Sequence, residues 1–194
     1  MKLYYSPGAC SMAPHIVARE AGHKIDLEKV DIPAKKTVGG EDFWTINSKG
    51  YVPALKMDNG QVLTEVGVII QYLADQKPES GLTAKMGTME RYRQMEAVNF
   101  AATEIHKQLG AFFNPKMTPE MKEVQLGTVE RRFNALENCS PANSTSQATN
   151  TLWRMRTCSR CSTGPKASRS TWTSGRTSRI SWPVSPPGRQ SKKR

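Results

Sequence analysis

Cys10 is the residue whose chemistry organises the reading of this chain. It follows the turn Ser6-Pro7-Gly8-Ala9 and directly precedes an apolar-periodic stretch. A sulfur placed there meets backbone N–H groups and the positive end of a helix dipole, which favour thiolate over thiol. A drop of about two units from the free value near 8.5 would make thiolate the main form at neutral pH. A lone cysteine is more often a small buried hydrophobe; the loop-to-helix position is what favours a reactive sulfur here. Cys10-Ser11-Met12-Ala13 lacks the second thiol of a C-x-x-C pair, so a resolving thiol has to come from a ligand.

A second set of residues accompanies it. In Asn47-Ser48-Lys49-Gly50-Tyr51-Val52-Pro53-Ala54-Leu55 a proline opens a strand, which an edge position or a cis turn tolerates. A cis Pro53 would leave the Val52 main chain free to pair with an extended peptide ligand. Glu65 is predicted to begin a helix whose N-terminal N–H groups suit a carboxylate, although a first-turn acid is also simply a favourable one. Further on, Asn99, Thr103 and His106 are spaced i, i+4, i+7, beside an apolar stripe of Val98, Ala101, Ala102, Ile105 and Leu109. A polar stripe beside a core stripe suggests a cleft wall, whereas a solvated helix face is the plainer reading, particularly for His106. His15 and His23 read as a helix-surface and a turn residue with no assigned role.

The elements that position these residues follow from pattern. Lys2–Tyr5 reads as a strand, Ser11–Ala21 as a helix closed by Gly22, and Lys24–Val30 as an alternating strand. Val52–Met57 and Gln61–Leu63 flank Asp58-Asn59-Gly60, a strong hairpin signal, and Glu65–Asp75 continues as a helix. The order βαβ then ββα is a thioredoxin-like α/β arrangement over residues 1–80. After Lys77-Pro78-Glu79-Ser80-Gly81 come two long helical patterns, Thr88 to about Leu109 and Thr118 to about Leu136, the second opened by Thr118-Pro119-Glu120. These begin an all-α domain over residues 88–138.

The remaining residues, 139–194, do not continue this text. Met1–Asn138 holds 17 Lys plus Arg against 17 Asp plus Glu, whereas Cys139–Arg194 holds 11 against none, so the whole net charge of +11 lies in the tail. Ser and Thr supply 20 of its 56 residues, and three of the four Trp fall in it without helical or strand period. A basic nucleic-acid-binding arm is one explanation; scattered Trp argue against a chain kept soluble by composition. A lost base is the other and the preferred one. Each true codon would then join the third base of one tail codon to the first two of the next; Trp172-Thr173 is forced to Asp and Trp182-Pro183 to Ala, and the run from Trp153 to Ser159 admits A-D-A-Y-L-F. Charge balance and an S-x-x-D helix start can return in that frame. Cys158 and Cys161 then read as accidental, and no metal is expected. One cysteine before the tail, no signal-peptide pattern at the start and no apolar run near the roughly 20 residues of a membrane span point to a cytoplasmic protein with no membrane partner.

The motifs M-K-L-Y-Y-S-P-G-A-C-S-x-A-P-H-I, N-S-K-G-Y-V-P-A-L, L-T-E-V-G-V-I-I-Q-Y-L-A-D and E-I-H-K resemble, in combination and across Met1 to about Glu137, a beta-class bacterial glutathione transferase. The resemblance implies a thioredoxin-like domain plus an all-α domain, glutathione as co-substrate, a small electrophilic second substrate and a homodimer with no nucleic-acid partner. It implies that Cys10 contacts, and can form a mixed disulfide with, the glutathione sulfur, while Val52 pairs with the cysteinyl backbone. Glu65 and Val66 would take the γ-glutamyl end and Lys35 the glycine carboxylate. Asn99, Thr103, Glu104, His106 and Lys107 would line the site, Glu104 from the partner subunit, with His106 and Lys107 lending polar and positive character near the sulfur. The family usually carries Gly or Ser where this chain has Val66, leaving only a backbone N–H there. Transfer of glutathione to apolar electrophiles is the expected activity, with thiol-disulfide or peroxide chemistry through Cys10 as an extension; a non-catalytic glutathione-binding or stress-regulatory protein is the alternative.

Overall fold

A computed structural model describes residues 1–139, with side chains through Ala135. The tail readings, the Cys158/Cys161 pair and the shifted-frame helix among them, lie outside the described residues.

Strands β1 (Lys2–Tyr5), β2 (Asp26–Asp31), β3 (Lys36–Thr37), β4 (Ala54–Lys56) and β5 (Val62–Thr64) form one sheet in the order β3-β2-β1-β4-β5. β1 and β2 are parallel, joined through helix α1 (Met12–Glu20); β4 runs antiparallel to β1, and β5 antiparallel to β4. The expected βαβ and ββα units are both present. The sequence reading missed β3 and the short helix α2 (Phe43–Ile46). Both are too brief to show a period, and α2 is announced only by its cap, Asp42 accepting from the Trp44 N–H at 3.0 Å.

Alternation along the strands divides the core in two. Leu3 and Leu55 face α1 and helix α3 (Val66–Asp75), packing with Ala13, Val17, Ala18, Ile69, Ile70, Leu73 and Ala74. Tyr4 and Ala54, one residue along, turn to the other face and meet Val30, Phe43 and Val52. The small helix α2 thus supplies, through Phe43, the cover for the second face.

A 3-10 turn at Pro78–Ser80 leads to α4 (Met89–Phe100), capped by the Thr88 side chain. The single helix expected from Thr88 to Leu109 is continuous but not uniform: Ala101–His106 is a π-helical stretch, after which α5 (Lys107–Gly110) resumes the tighter winding. The apolar stripe is split in consequence. Val98 joins the α1/α3 core, whereas Ile105 and Leu109 pack with Val129 of α6 (Pro119–Cys139). Two contacts tie α3 to α4. Arg91, fully buried, donates to the Asp75 carboxylate at 2.7 Å, and a Cβ added at Gly67 would stand 3.0 Å from the Val98 side chain. No helix among the described residues is long and apolar enough to cross a membrane.

Candidate active site

The turn before α1 is built to present a sulfur. Ser11 stands at the N-cap but does not cap: its buried hydroxyl closes the loop by accepting from the Ser6 N–H at 3.1 Å and donating to the Ser6 carbonyl at 3.2 Å. Met12 and Ala13 N–H groups bond the carbonyls of Ala9 and Cys10, and Pro14 falls in the first turn, where no N–H is needed. The backbone N–H groups of Cys10 and Ser11 are left to the Cys10 thiol. That thiol, free and half-buried, donates to the Val52 carbonyl at 3.4 Å. The Val52–Pro53 peptide is cis, as the sequence pattern suggested.

The ionisation of Cys10 differs from the sequence expectation. Burial pushes its pKa up and outweighs the two backbone N–H groups that pull it down; the Glu65 carboxylate adds to the rise, and Lys107 opposes it more weakly. The helix-start argument identified a real stabilising contribution and omitted the larger one, desolvation of the anion. Cys10 is a thiol, not a thiolate, at neutral pH in this structure.

Glu65 does not begin α3 but precedes it as the N-cap, at φ 69°. This is a sparsely populated conformation for a residue with a Cβ, of the kind that collects at ligand sites. Its carbonyl accepts from the N–H groups of Val68 and Ile69, while its carboxylate makes no cap bond and reaches Lys49 Nζ at 2.8 Å. Val66, the first residue of α3, packs its side chain against the α1/α3 core. Lys35, also left-handed at φ 54°, donates to the Gly50 carbonyl at 2.8 Å and lies 5.5 and 5.2 Å from the ring centroids of Trp44 and Tyr51. Gly50 is obligatory there: at φ +66° a Cβ would come within 2.7 Å of the Trp44 ring.

The helical residues divide. Thr103 Oγ1 donates to the Asn99 carbonyl at 3.0 Å, so these two remain neighbours. The π-helical winding rotates His106 relative to Thr103, and the shared face assumed from a 3.6-residue period does not hold across Ala101–His106. His106 keeps an exposed edge, yet burial of its ring and the adjacent Lys107 both lower its pKa, leaving it neutral at pH 7. Lys107 is the residue of this helix whose charge reaches Cys10. Glu104 pairs with Arg132 of α6 at 2.8 Å within its own chain, a partner the sequence reading did not anticipate.

Residues 3–81 match the family described as Glutathione S-transferase, N-terminal domain. A solved glutathione transferase from Methylococcus capsulatus str. bath is 49% identical with a TM-score of 0.74, covering 82% of this chain and 83% of that one. The chain belongs to the glutathione S-transferase family. A bacterial beta class glutathione S-transferase from Sphingomonas chungbukensis is 40% identical with a TM-score of 0.73 over 81% of each chain, which supports the beta class. Glutathione S-transferase GstA of Escherichia coli O157:H7 is 42% identical over 133 residues, which are 69% of this chain; the chain spans 66% of that relative's length.

Within this transferase fold, two features escaped the sequence reading. Lys49 sits inside a quoted motif but gave no signal by type or spacing, because its partner Glu65 is 16 residues away. The rings beside Lys35 were equally silent, since Trp44 and Tyr51 converge only through the turn at Gly50.

Proposed function

We propose that this chain is a glutathione transferase that conjugates glutathione to small, apolar electrophiles, with Cys10 as the residue facing the glutathione sulfur. The observation that carries the reading is the Cys10 thiol donating to the Val52 carbonyl at the start of α1, in a chain of this family. Because burial keeps Cys10 protonated, its S–H is a hydrogen-bond donor at neutral pH. Bound glutathione would take the Val52 main chain for its cysteinyl backbone and receive the Cys10 S–H at its own sulfur, favouring the glutathione thiolate. That thiolate attacks the electrophilic carbon of the second substrate, a C–S bond forms, and the leaving group or a π bond accepts the electron pair. Neutral His106 and cationic Lys107 supply a polar, positive wall. Glu65 and the backbone of Val66 take the γ-glutamyl end, Lys35 the glycine carboxylate, and Asn99 and Thr103 line the rim. Glu104 reaches in from the partner subunit of a homodimer, for which it must exchange Arg132. The protein acts in the cytoplasm, with residues 1–80 as the glutathione-binding domain and 88–138 as the start of the helical one.

Cys10 also supports disulfide chemistry. Once it has lost its proton to solvent, the Cys10 sulfur attacks oxidised glutathione, forming a Cys10–glutathione disulfide as one glutathione thiolate leaves. Mass spectrometry after incubation with oxidised glutathione should show the adduct on the native chain and none on Cys10→Ala. Full labelling of Cys10→Ala would overturn the assignment.

The reading includes a frame slip near codons 137–140. It is supported by the forced codons of the tail and by Met121, Val124 and Leu126 of α6, which are 51, 73 and 48% exposed. Resequencing that stretch of the gene tests it, and an unbroken frame would restore the basic tail as a selected element.

A further inference from the structure

We infer that Lys49 is a positioning residue of the glutathione site, holding the Glu65 carboxylate outward so that the N-terminus of α3 stays open for the ligand's γ-glutamyl carboxylate. The inference rests on the glutathione reading above.

A carboxylate beside a helix N-terminus is drawn toward its free N–H groups by the helix dipole. Glu65 stands at that position with its carboxylate unengaged by the helix. The third and fourth N–H groups of α3 are satisfied without it, since the Glu65 carbonyl accepts from Val68 at 3.1 Å and Ile69 at 2.9 Å. The carboxylate instead meets Lys49 Nζ at 2.8 Å, and the same ammonium donates to Thr64 Oγ1 at 3.1 Å. Lys49 is held in turn by its loop: the Asn47 side chain accepts from the Lys49 N–H at 3.1 Å and donates to the Tyr51 carbonyl at 2.7 Å.

Two consequences follow for a γ-glutamyl group, which brings one ammonium and one carboxylate. Lys49 occupies Oε1 of Glu65 and leaves Oε2 for the incoming ammonium. It also prevents the collapse of Glu65 onto the helix start, where a second carboxylate would repel the ligand's own. Without Lys49, the helix dipole draws the carboxylate back to the α3 N–H groups, and the ligand must displace it. Both Lys49 and Glu65 are largely exposed, so the pair contributes little to folding.

The test uses the full chain and its Lys49→Met and Lys49→Arg variants, assayed with glutathione and with butyryl-cysteinyl-glycine, which lacks both the ammonium and the carboxylate of the γ-glutamyl group. Lys49→Met should raise KM for glutathione about three- to fivefold, the range a solvent-exposed ion pair commands, with kcat and Tm unchanged. With the analogue lacking both groups the same substitution should have no effect, and Lys49→Arg should restore the native KM for glutathione. An unchanged or lowered KM for glutathione in Lys49→Met overturns the positioning role, a lowered value meaning that Lys49 competes with the ligand. An equal loss with both ligands assigns Lys49 a merely structural role and also overturns it. If the native chain neither binds glutathione by calorimetry nor forms the Cys10 adduct, the underlying reading fails together with this one.

Discussion

The sheet-based half of the molecule and the helical half use the same kinds of residue to different effect. In the first, a five-stranded sheet is covered on both faces, and Leu3, Phe43, Leu55, Ile69 and Leu73 are wholly removed from solvent. In the second, the buried cluster among the described residues is Ile105, Leu109 and Val129, ringed by half-buried Phe100, Phe112 and Phe133. Phe113, Met121, Val124 and Leu126 remain exposed on the same segment. Both halves carry apolar periodicity; the difference, among the described residues, is how many elements receive it. A helix with one neighbour buries one stripe at most, whereas a central strand covered on both faces buries side chains on either side, as β1 does with Leu3 and Tyr4. The Cys10 sulfur and the Glu65–Lys49 pair belong to the closed half, and the charge of Lys107 reaches the sulfur from the open half.

If the proposed frame slip is correct, restoring the reading frame should break this contrast most strongly. Leaving three or four large apolar side chains in water forfeits about 1.5–3 kcal/mol each, a sum comparable to the roughly 5–15 kcal/mol that holds a whole domain. The chain with one base inserted near codons 137–140 should melt in a single cooperative transition, and the chain as written should aggregate or melt in two stages by calorimetry. Coincident curves would mean that the helical half is complete without a further partner.

Truncations sharpen the contrast on a smaller scale. Leu73→Ala, in the closed core, should cost about 2–5 kcal/mol in urea unfolding. Leu109→Ala should fall at or below the lower end of that range, because its surroundings are open enough to relax; equal losses would show that the two cores are equally tight.

The link between the halves comes next. Asp75→Ala leaves the Arg91 guanidinium buried without its carboxylate, and Arg91 Nε and Nη1 already lack hydrogen-bond partners. Removing one partner of a buried pair costs about 3–5 kcal/mol, which the partial exposure of Asp75 reduces to roughly 1–3 here. Arg91→Met should cost less, since it removes the charge together with its desolvation. The reverse order would show that the guanidinium is solvated in the native state.

The smallest effect is electrostatic. Alkylation of Cys10 by iodoacetamide should titrate with a midpoint above that of a free thiol, because burial raises its pKa. Folding then favours the protonated form, so the stability this group contributes is present below the unfolded thiol pKa and is lost as pH rises through the higher folded one. Lys107→Met should move the midpoint further up, since Lys107 is a weak lowering influence. A midpoint below that of a free thiol would restore the helix-start argument in full.

Much of this architecture was readable before any coordinates. The Asp58-Asn59-Gly60 turn placed the β4–β5 hairpin, the helical patterns Ser11–Ala21 and Glu65–Asp75 placed the two helices of the main core, and Thr118-Pro119 placed the start of α6. These are local signals, carried by backbone preferences and side-chain periods within a few residues. The quoted motifs carried the family, and with it the roles proposed for Cys10, Val52 and Glu65. The π-helical stretch left no mark, because Ala-Ala-Thr-Glu-Ile-His satisfies a 3.6-residue pattern as well as a wider one.

What the sequence determined by itself was where the sulfur stands: after a Gly-containing turn and before a helix, whatever the rest of the chain does. Only the tertiary structure decided how that sulfur behaves. Its position relative to the α1 backbone is local and lowers its pKa, but its desolvation depends on every segment that packs around it, and the charges of Glu65 and Lys107 reach it from residues 55 and 97 positions away. The same holds for the Lys49–Glu65 pair and the Arg91–Asp75 link, each a meeting of two side chains that no periodicity relates. Local order follows from short-range preferences of the backbone, whereas burial and charge depend on distances that only the folded chain sets.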